Sequence, residues 1–418
     1  MIIINIPNNN ILERKYIIDI IFDEFLGLEY QIIESDDCQD WMIEVENKQV
    51  LKIQDTFFSK YPNDLEYLKL ENIPSQIEQL DIFAASFFML TRWEEYVNKA
   101  RDLHDRFPVT ESLAYKNAFL DRPIVNEYLE ELKKMLLKLD DNLKFKEHNY
   151  QLVLTHDVDH IKKWDTSKKF IRHLAGDLIE RNSIIEFFRS MIYFIKVKTH
   201  IVNDPYDTFD YFMDISDKLQ VKSHFLFMAK GVTSFDNRYK TNDKQVIELV
   251  NKIQRRGHHI GIHPTYNAYN NFEQLKSEIN ELEKNFDTNI SFGREHYLRF
   301  EIPTTWQIWD DNNLSWDSTC GYADKEGFRC GVCYEYSVFN ILTRKKLKLK
   351  EKPLIVMDGS LRIQERMTPL LMKEKILELI KQVKKYNGEF VFLWHNSSFN
   401  IKEWREYNKV YEEVLISS

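Results

Sequence analysis

The sequence predicts an α/β protein whose larger part is a mostly parallel sheet or barrel with helices outside, preceded by a smaller α+β unit. Three observations carry this expectation. From about residue 146 onward, strand-like and helix-like segments alternate. Before that point short strand-like runs and helical blocks are mixed without alternation. The chain has 418 residues, more than the roughly 100–200 of one ordinary domain. We place the division at 1–145 and 146–418.

The first unit opens with strand-like runs at Met1–Ile6 and Gln31–Ile33. A helix-like block covers Ile77–Val97, where Leu80, Phe83, Ala84, Phe87 and Leu90 fall at three- and four-residue steps and make one apolar face. A polar, turn-rich segment, Asp102–Pro108, follows, and then a charged helix-like stretch over Asn126–Asp140. Asp140-Asp141-Asn142 ends that stretch at a linker. Phosphate loops, nucleophile elbows and dinucleotide fingerprints are absent from the sequence here.

The second unit begins with a strand over Tyr150–Leu154. Helices are expected over Tyr206–Leu219 and Asn242–Arg256, separated by a strand at Ser223–Met228, and Gly257 stands where a helix C-terminal cap belongs. Strands at Leu354–Met357 and Phe390–Trp394 flank a helix over Lys373–Lys385. In such folds chemistry gathers at the C-terminal ends of strands, and Asp157–Asp159 and His395 both lie at such ends.

Composition narrows the function class. A net charge of −9 argues against a surface that tracks phosphates, so nucleic acid is not an expected partner. The start lacks a basic region followed by an apolar core, and the apolar stretch Ile82–Leu90 is too short to span a bilayer, so a soluble cytoplasmic enzyme with no membrane span is the simplest expectation. Cys38, Cys320, Cys330 and Cys333 are too few and too uneven for a disulfide framework, and Cys330 and Cys333 lack a second pair to complete a zinc site.

Two segments carry the chemistry: Thr155-His156-Asp157-Val158-Asp159-His160 and His259-Ile260-Gly261-Ile262-His263-Pro264. On a strand, residues two apart point to one side, so Asp157 and Asp159 address one pocket while Val158 faces the core. Two carboxylates that close raise each other's pKa unless a cation sits between them, so one suits metal ligation and the other proton transfer. His259 and His263 would stand about 13 Å apart on a straight strand, too far for one ion. A turn at Gly261 and Pro264 is therefore expected to fold both imidazoles towards one point. His156, His160 and His258 are candidates for groups that orient the ligands.

These residues resemble the polysaccharide deacetylases of the NodB-like carbohydrate esterase type. The family's Thr-Phe-Asp-Asp-Gly motif looks like Thr155–Asp159, its His-x-x-x-His motif like His259–His263, its Arg-x-Pro-Tyr motif like Arg294-Glu295-His296-Tyr297, and its terminal strand like Leu393-Trp394-His395. The motifs occur in the family's order across 146–418. Val158 splits the usual adjacent acids, and His296 stands where the family has proline. Residues 1–145 more faintly resemble an accessory domain, through Leu90–Tyr96 and Arg106-Phe107-Pro108.

The resemblance implies a distorted (β/α) barrel and a hydrolase that removes acetyl groups from N-acetylated carbohydrate. It implies a divalent metal held by Asp159, His259 and His263, with zinc the first choice and cobalt, iron or nickel also accepted by such a donor set. Asp157 would be the base, and Arg294 would hold it ionised. The backbone N–H of Tyr297 would stabilise the oxyanion, and His395 would protonate the leaving amine. Asp317 would tune Arg294 or His395. Two rivals stand beside this reading: a glycoside hydrolase, in which the paired histidines have no place, and a non-catalytic carbohydrate-binding or scaffolding protein on the same fold.

Overall fold

The computed structural model describes residues 2–45, 49–164, 167–179, 182–236 and 239–418. Its first sheet has four strands, β1 (Ile2–Pro7), β2 (Tyr30–Ser35), β3 (Trp41–Val45) and β4 (Val50–Ile53), in the order β2-β1-β3-β4. β1 and β3 bury alternate side chains, among them Ile2, Ile4, Trp41 and Ile43, as a half-covered sheet requires. The helical block expected at Ile77–Val97 is divided. A helix over Ile82–Thr91 is buried on every side, and Arg92, at φ 53°, turns the chain into a second helix, Trp93–Val97.

The second sheet holds nine strands. They are β5 (Gln151–Val158), β6 (His224–Phe227), β7 (His259–Ile262), β8 (Phe292–Gly293), β9 (Trp316–Asp317), β10 (Tyr336–Asn340), β11 (Lys345–Glu351), β12 (Val356–Met357) and β13 (Glu389–Leu393). The spatial order is β10-β11-β9-β8-β7-β6-β5-β13-β12, and every neighbouring pair except β10–β11 is parallel. Helices such as Phe209–Lys218, Lys244–Arg255 and Pro369–Lys385 connect the strands and lay their apolar faces on the sheet. Gly257 ends the second of these at φ 75°, with the amide of His258 reaching back to the carbonyl of Ile253, which is the expected cap. The barrel expected from the resemblance is not drawn by the hydrogen bonds: among the described residues no strand pair joins β10 to β12, and the sheet stays open.

The two sheets share one continuous apolar core. The first unit covers the β10 edge of the large sheet, where Tyr16 Oη donates to the Ser337 carbonyl at 2.9 Å and Glu24 accepts from the Ser337 amide at 3.0 Å. A sheet edge left bare would present unpaired backbone groups, and these two side chains satisfy those of Ser337. Deeper in the same contact, the buried Glu95 carboxylate takes Nε and Nη2 of Arg329 at 2.9 and 2.5 Å and Nε of Arg92 at 2.9 Å. Among the described residues no helix is long and apolar enough to cross a membrane.

Burial opposes charge on Glu95, but the two guanidinium groups outweigh it and hold its pKa down to about 2. Glu95→Gln leaves two buried cations short of a counter-charge and should cost about 3–5 kcal/mol in denaturant-unfolding free energy. Because the folded pKa lies below the unfolded value of about 4.3, the stability gap between wild type and variant should be full above that pH. It should shrink as the pH falls towards 2, and a gap independent of pH would contradict this account.

Candidate active site

The C-terminal ends of the parallel strands converge on one cavity of about 280 Å³. β5 brings Asp157 and, one residue past its end, Asp159; the residue after β7 is His263; and the loop after β8 supplies Arg294 and His296. Beyond β13 stands His395, and the residue after β12 is Asp358. Alternation along β5 works as expected. Thr155 and Asp157 face Arg294, whereas His156 points to the other side, stacked on Phe212 at 3.7 Å between rings.

Among the described residues, Asp159, His263 and His296 form the group that could hold a metal ion, one ligand atom from each, all within 4.8 Å of one another. Asp159 Oδ1 lies 3.4 Å from His263 Nε2 and 3.7 Å from His296 Nε2. His263 Nδ1 lies 2.7 Å from the Arg294 carbonyl. A carbonyl only accepts, so Nδ1 carries the hydrogen, and loss of the other proton leaves the Nε2 lone pair facing the cluster, the tautomer a metal ligand needs. His296 Nδ1 faces Asp236 Oδ1 at 3.6 Å. Asp159 Oδ1 is buried without a hydrogen-bond partner, a cost of about 1–3 kcal/mol for an uncompensated polar atom. Burial opposes protonation of His263, yet Asp157 and Asp159 outweigh it and raise its pKa above that of an ordinary imidazole. The cluster therefore favours positive charge at this point, and these residues fit a divalent cation.

His259 is not among them. β7 runs straight from His259 to Ile262, so His259 lies at the opposite end of the sheet, exposed and stacked on His224 at 4.9 Å between rings. Gly261 makes no turn. A side chain there would come within 2.5 Å of Phe292 and 2.7 Å of Leu226, so glycine is required for close packing across the sheet. The expected ligand pair His259–His263 is thus replaced in space by His263–His296.

Asp157 is held apart from the ligand cluster by Arg294. The fully buried guanidinium gives Nη1 to Asp157 Oδ1 at 2.9 Å, Nη2 to Thr155 Oγ1 at 3.0 Å and Nε to the Ser318 carbonyl at 2.9 Å. The other oxygen, Asp157 Oδ2, stands 3.8 Å from His263 Nε2. Across the cavity His395 Nδ1 donates to Asp358 Oδ1 at 2.7 Å, and its Nε2 points inward, 4.0 Å from Asp159 Oδ2. Burial opposes charge on His395, but Asp358, then Asp159 and Asp157, raise its pKa to about 10.

Sequence reasoning brought Asp157, Asp159, His263, Arg294, Tyr297 and His395 to this cavity and missed three contributors. His296 was visible as an imidazole where the resembled family has proline. Asp358 stands 37 residues from its partner and gave no local signal. Arg106 comes from the first unit, in the Arg106-Phe107-Pro108 segment, and lines the cavity. Asp317 is buried, and burial first of all raises its pKa to about 7; it accepts from Thr319 rather than from Arg294. His156 and His258 are occupied on the helix side of the sheet, by the Trp394 carbonyl and by the Ser223 amide, while His160 lines the cavity.

Arg106 does more than line the wall. Asp102 anchors its Nε at 2.7 Å, and its Nη1 donates to the Tyr297 carbonyl at 3.1 Å. Tyr297 and Leu298 both sit at positive φ, 62° and 55°, a costly conformation for side chains of this size. The guanidinium clamps this turn from outside and so fixes His296 beside it.

Comparisons with known proteins reach only part of the chain. Residues 2–141 match a family of unknown function (DUF7033). No curated protein matches. Among solved structures, a candidate polysaccharide deacetylase from Mycobacterium smegmatis is similar at 13% identity and a TM-score of 0.40, over 65% of this chain and 84% of that one. A mutant of a CE4-family pseudoenzyme with restored enzymatic activity is similar at 10% identity and a TM-score of 0.32, over 64% of each chain. Similarity at this level carries no weight for chemistry, which rests on the side chains themselves.

Replacing Arg106 with alanine removes the clamp without touching the ligand cluster. Exchange of the Leu298 and Arg299 amides, which close the turn on the Glu295 and His296 carbonyls, should accelerate about tenfold or more, matching the loss of one charge-assisted hydrogen bond. Exchange unchanged across this turn would show that Arg106 does not hold it.

Proposed function

We propose that the chain is a metal-dependent hydrolase that removes an acetyl group from an N-acetylated carbohydrate. The observation that supports it best is the layout of the cavity: two imidazoles and a carboxylate gathered around one point, a second carboxylate held by arginine beside them, and an imidazole backed by a buried aspartate opposite. In this reading Asp159, His263 and His296 hold the ion, with zinc the first choice. When bound, the ion acts as a Lewis acid that polarises the acyl oxygen and makes water a better nucleophile at neutral pH.

The chain's own residues divide the remaining work. Asp157, with one oxygen fixed by Arg294 and the other open to the cavity, accepts the proton of the attacking water. The Tyr297 backbone N–H, in the turn clamped by Arg106, donates to the oxyanion. His395 carries its proton at neutral pH because Asp358 sits behind it, so it is armed as an acid and delivers that proton to the departing amine. Phe235, Leu298, Met357 and Ile363 give the cavity apolar walls against a sugar ring and its acetyl methyl group.

Two measurements test this reading. The purified chain should retain about one divalent metal; His263→Ala and His296→Ala should each lose it, and His259→Ala should keep it. Asp157→Asn should keep the metal and lose acetate release from an N-acetylated oligosaccharide by about 10²–10⁴-fold. Metal retained after both histidine substitutions would remove the site.

The pH profile gives a further test. Loss of Asp358 takes away the main charge that holds the His395 proton, so in Asp358→Asn the alkaline limb of the rate profile should move to lower pH. A limb that stays in place would show that His395 is not the acid.

A further inference from the structure

Between β5 and β6 the chain leaves the sheet as two helices, Ser167–Ile179 and Ile184–Lys198, that pack on each other. Their inner faces are closed by aromatic rings: Phe170 stacks on Phe194 at 3.7 Å, and Trp164 meets both rings at 5.8 Å. The outer face is not closed. Ile185, Phe188, Ile192 and Ile195 follow steps of three and four along the second helix and form one stripe, with exposures of 72%, 51%, 52% and 53%. Ile171, Ile179, Ile184 and Ile201 extend the apolar surface around it. Nine of the chain's 23 large exposed apolar side chains among the described residues fall between 171 and 201, so this patch is no random scatter.

Charge says what covers it. Residues 167–201 contain seven Lys and Arg against three Asp and Glu, a local excess of four positive charges on a chain whose net charge is −9. Arg189 stands four residues after Ile185, and Lys196 four after Ile192, so both flank the stripe; Arg189 is also paired with Glu186. An apolar stripe bordered by cations fits the boundary of an anionic bilayer, where rings and branched chains enter the acyl region and the cations meet headgroup phosphates. A second copy would bring its own positive hairpin against this one, and like charges oppose that pairing. Helices of 13 and 15 residues are shorter than the roughly 20 needed to cross a bilayer, so they lie in its surface.

We propose that this hairpin is a peripheral docking element for anionic lipid bilayers. It is fastened at its base, where the Lys163 and Tyr206 amides both donate to Asp204 Oδ1 at 2.8 and 3.0 Å, a few residues from Asp159. Docking would hold the cavity mouth near the lipid surface, whatever reaction occurs there.

The test is cosedimentation of the full chain with vesicles of phosphatidylcholine alone and of an equimolar phosphatidylcholine–phosphatidylglycerol mixture. Binding should be at least about tenfold tighter to the anionic vesicles and weaken with added salt. Phe188→Ser with Ile192→Ser should lower it about tenfold or more, and Arg189→Gln and Lys196→Gln about fivefold each, with melting temperatures unchanged because all four side chains face solvent. No preference for anionic vesicles, or variants that bind like wild type, would overturn the proposal. So would a solution dimer, seen by sedimentation velocity, that the Phe188→Ser/Ile192→Ser variant dissolves while vesicle binding is absent; the stripe would then belong to a second copy.

Discussion

The cavity is organised by Arg294. A guanidinium taken fully out of water is expensive unless each edge finds an acceptor, and here Asp157, Thr155 and the Ser318 carbonyl and hydroxyl supply them. The same residue acts through its backbone as well: its amide donates to Ile262 at 3.1 Å and its carbonyl sets the tautomer of His263. One residue therefore fixes the carboxylate that handles protons and the imidazole that faces the ligand cluster. The two cannot drift apart without leaving a buried charge unpaired.

That arrangement depends on how closely β7 and β8 approach. A side chain at Gly293 would come within 1.9 Å of the Ile262 carbonyl, so only glycine lets β8 lie at this distance. The consequence is functional, because the next residue is Arg294, and its carbonyl must reach His263. β8 and β9 are only two residues long. They serve less as sheet than as a platform that presents Arg294, His296 and Asp317 at defined heights.

The first unit is built into the second rather than attached to it. It closes the exposed edge at β10, shares the buried Glu95–Arg329 pair, and lends Arg106 to the turn that carries His296. Arg299, lying over the rings of Tyr266 and Tyr269 at 4.1 and 4.0 Å, binds the His104 carbonyl and secures the 102–106 segment against the cavity rim. A region that matches a family of unknown function thus contributes directly to the geometry of the cavity.

The sequence by itself determined what local spacing governs. Alternation of strands and helices announced the parallel sheet, the two-residue step of β5 put Asp157 and Asp159 on one side, strand ends marked these acids and His395, and Arg294 was pointed to only by the resembled motif. It misplaced His259 because whether His259–His263 bends or runs straight depends on Phe292 and Leu226, residues that pack there only once the sheet has formed. Only the tertiary structure could decide that His296 completes the cluster, that Asp358 backs His395, and that Arg106 braces the turn. Such pairings lie between 33 (His263 to His296) and 191 residues apart, and their geometry is set by the packing of whole strands and units, which no local period encodes.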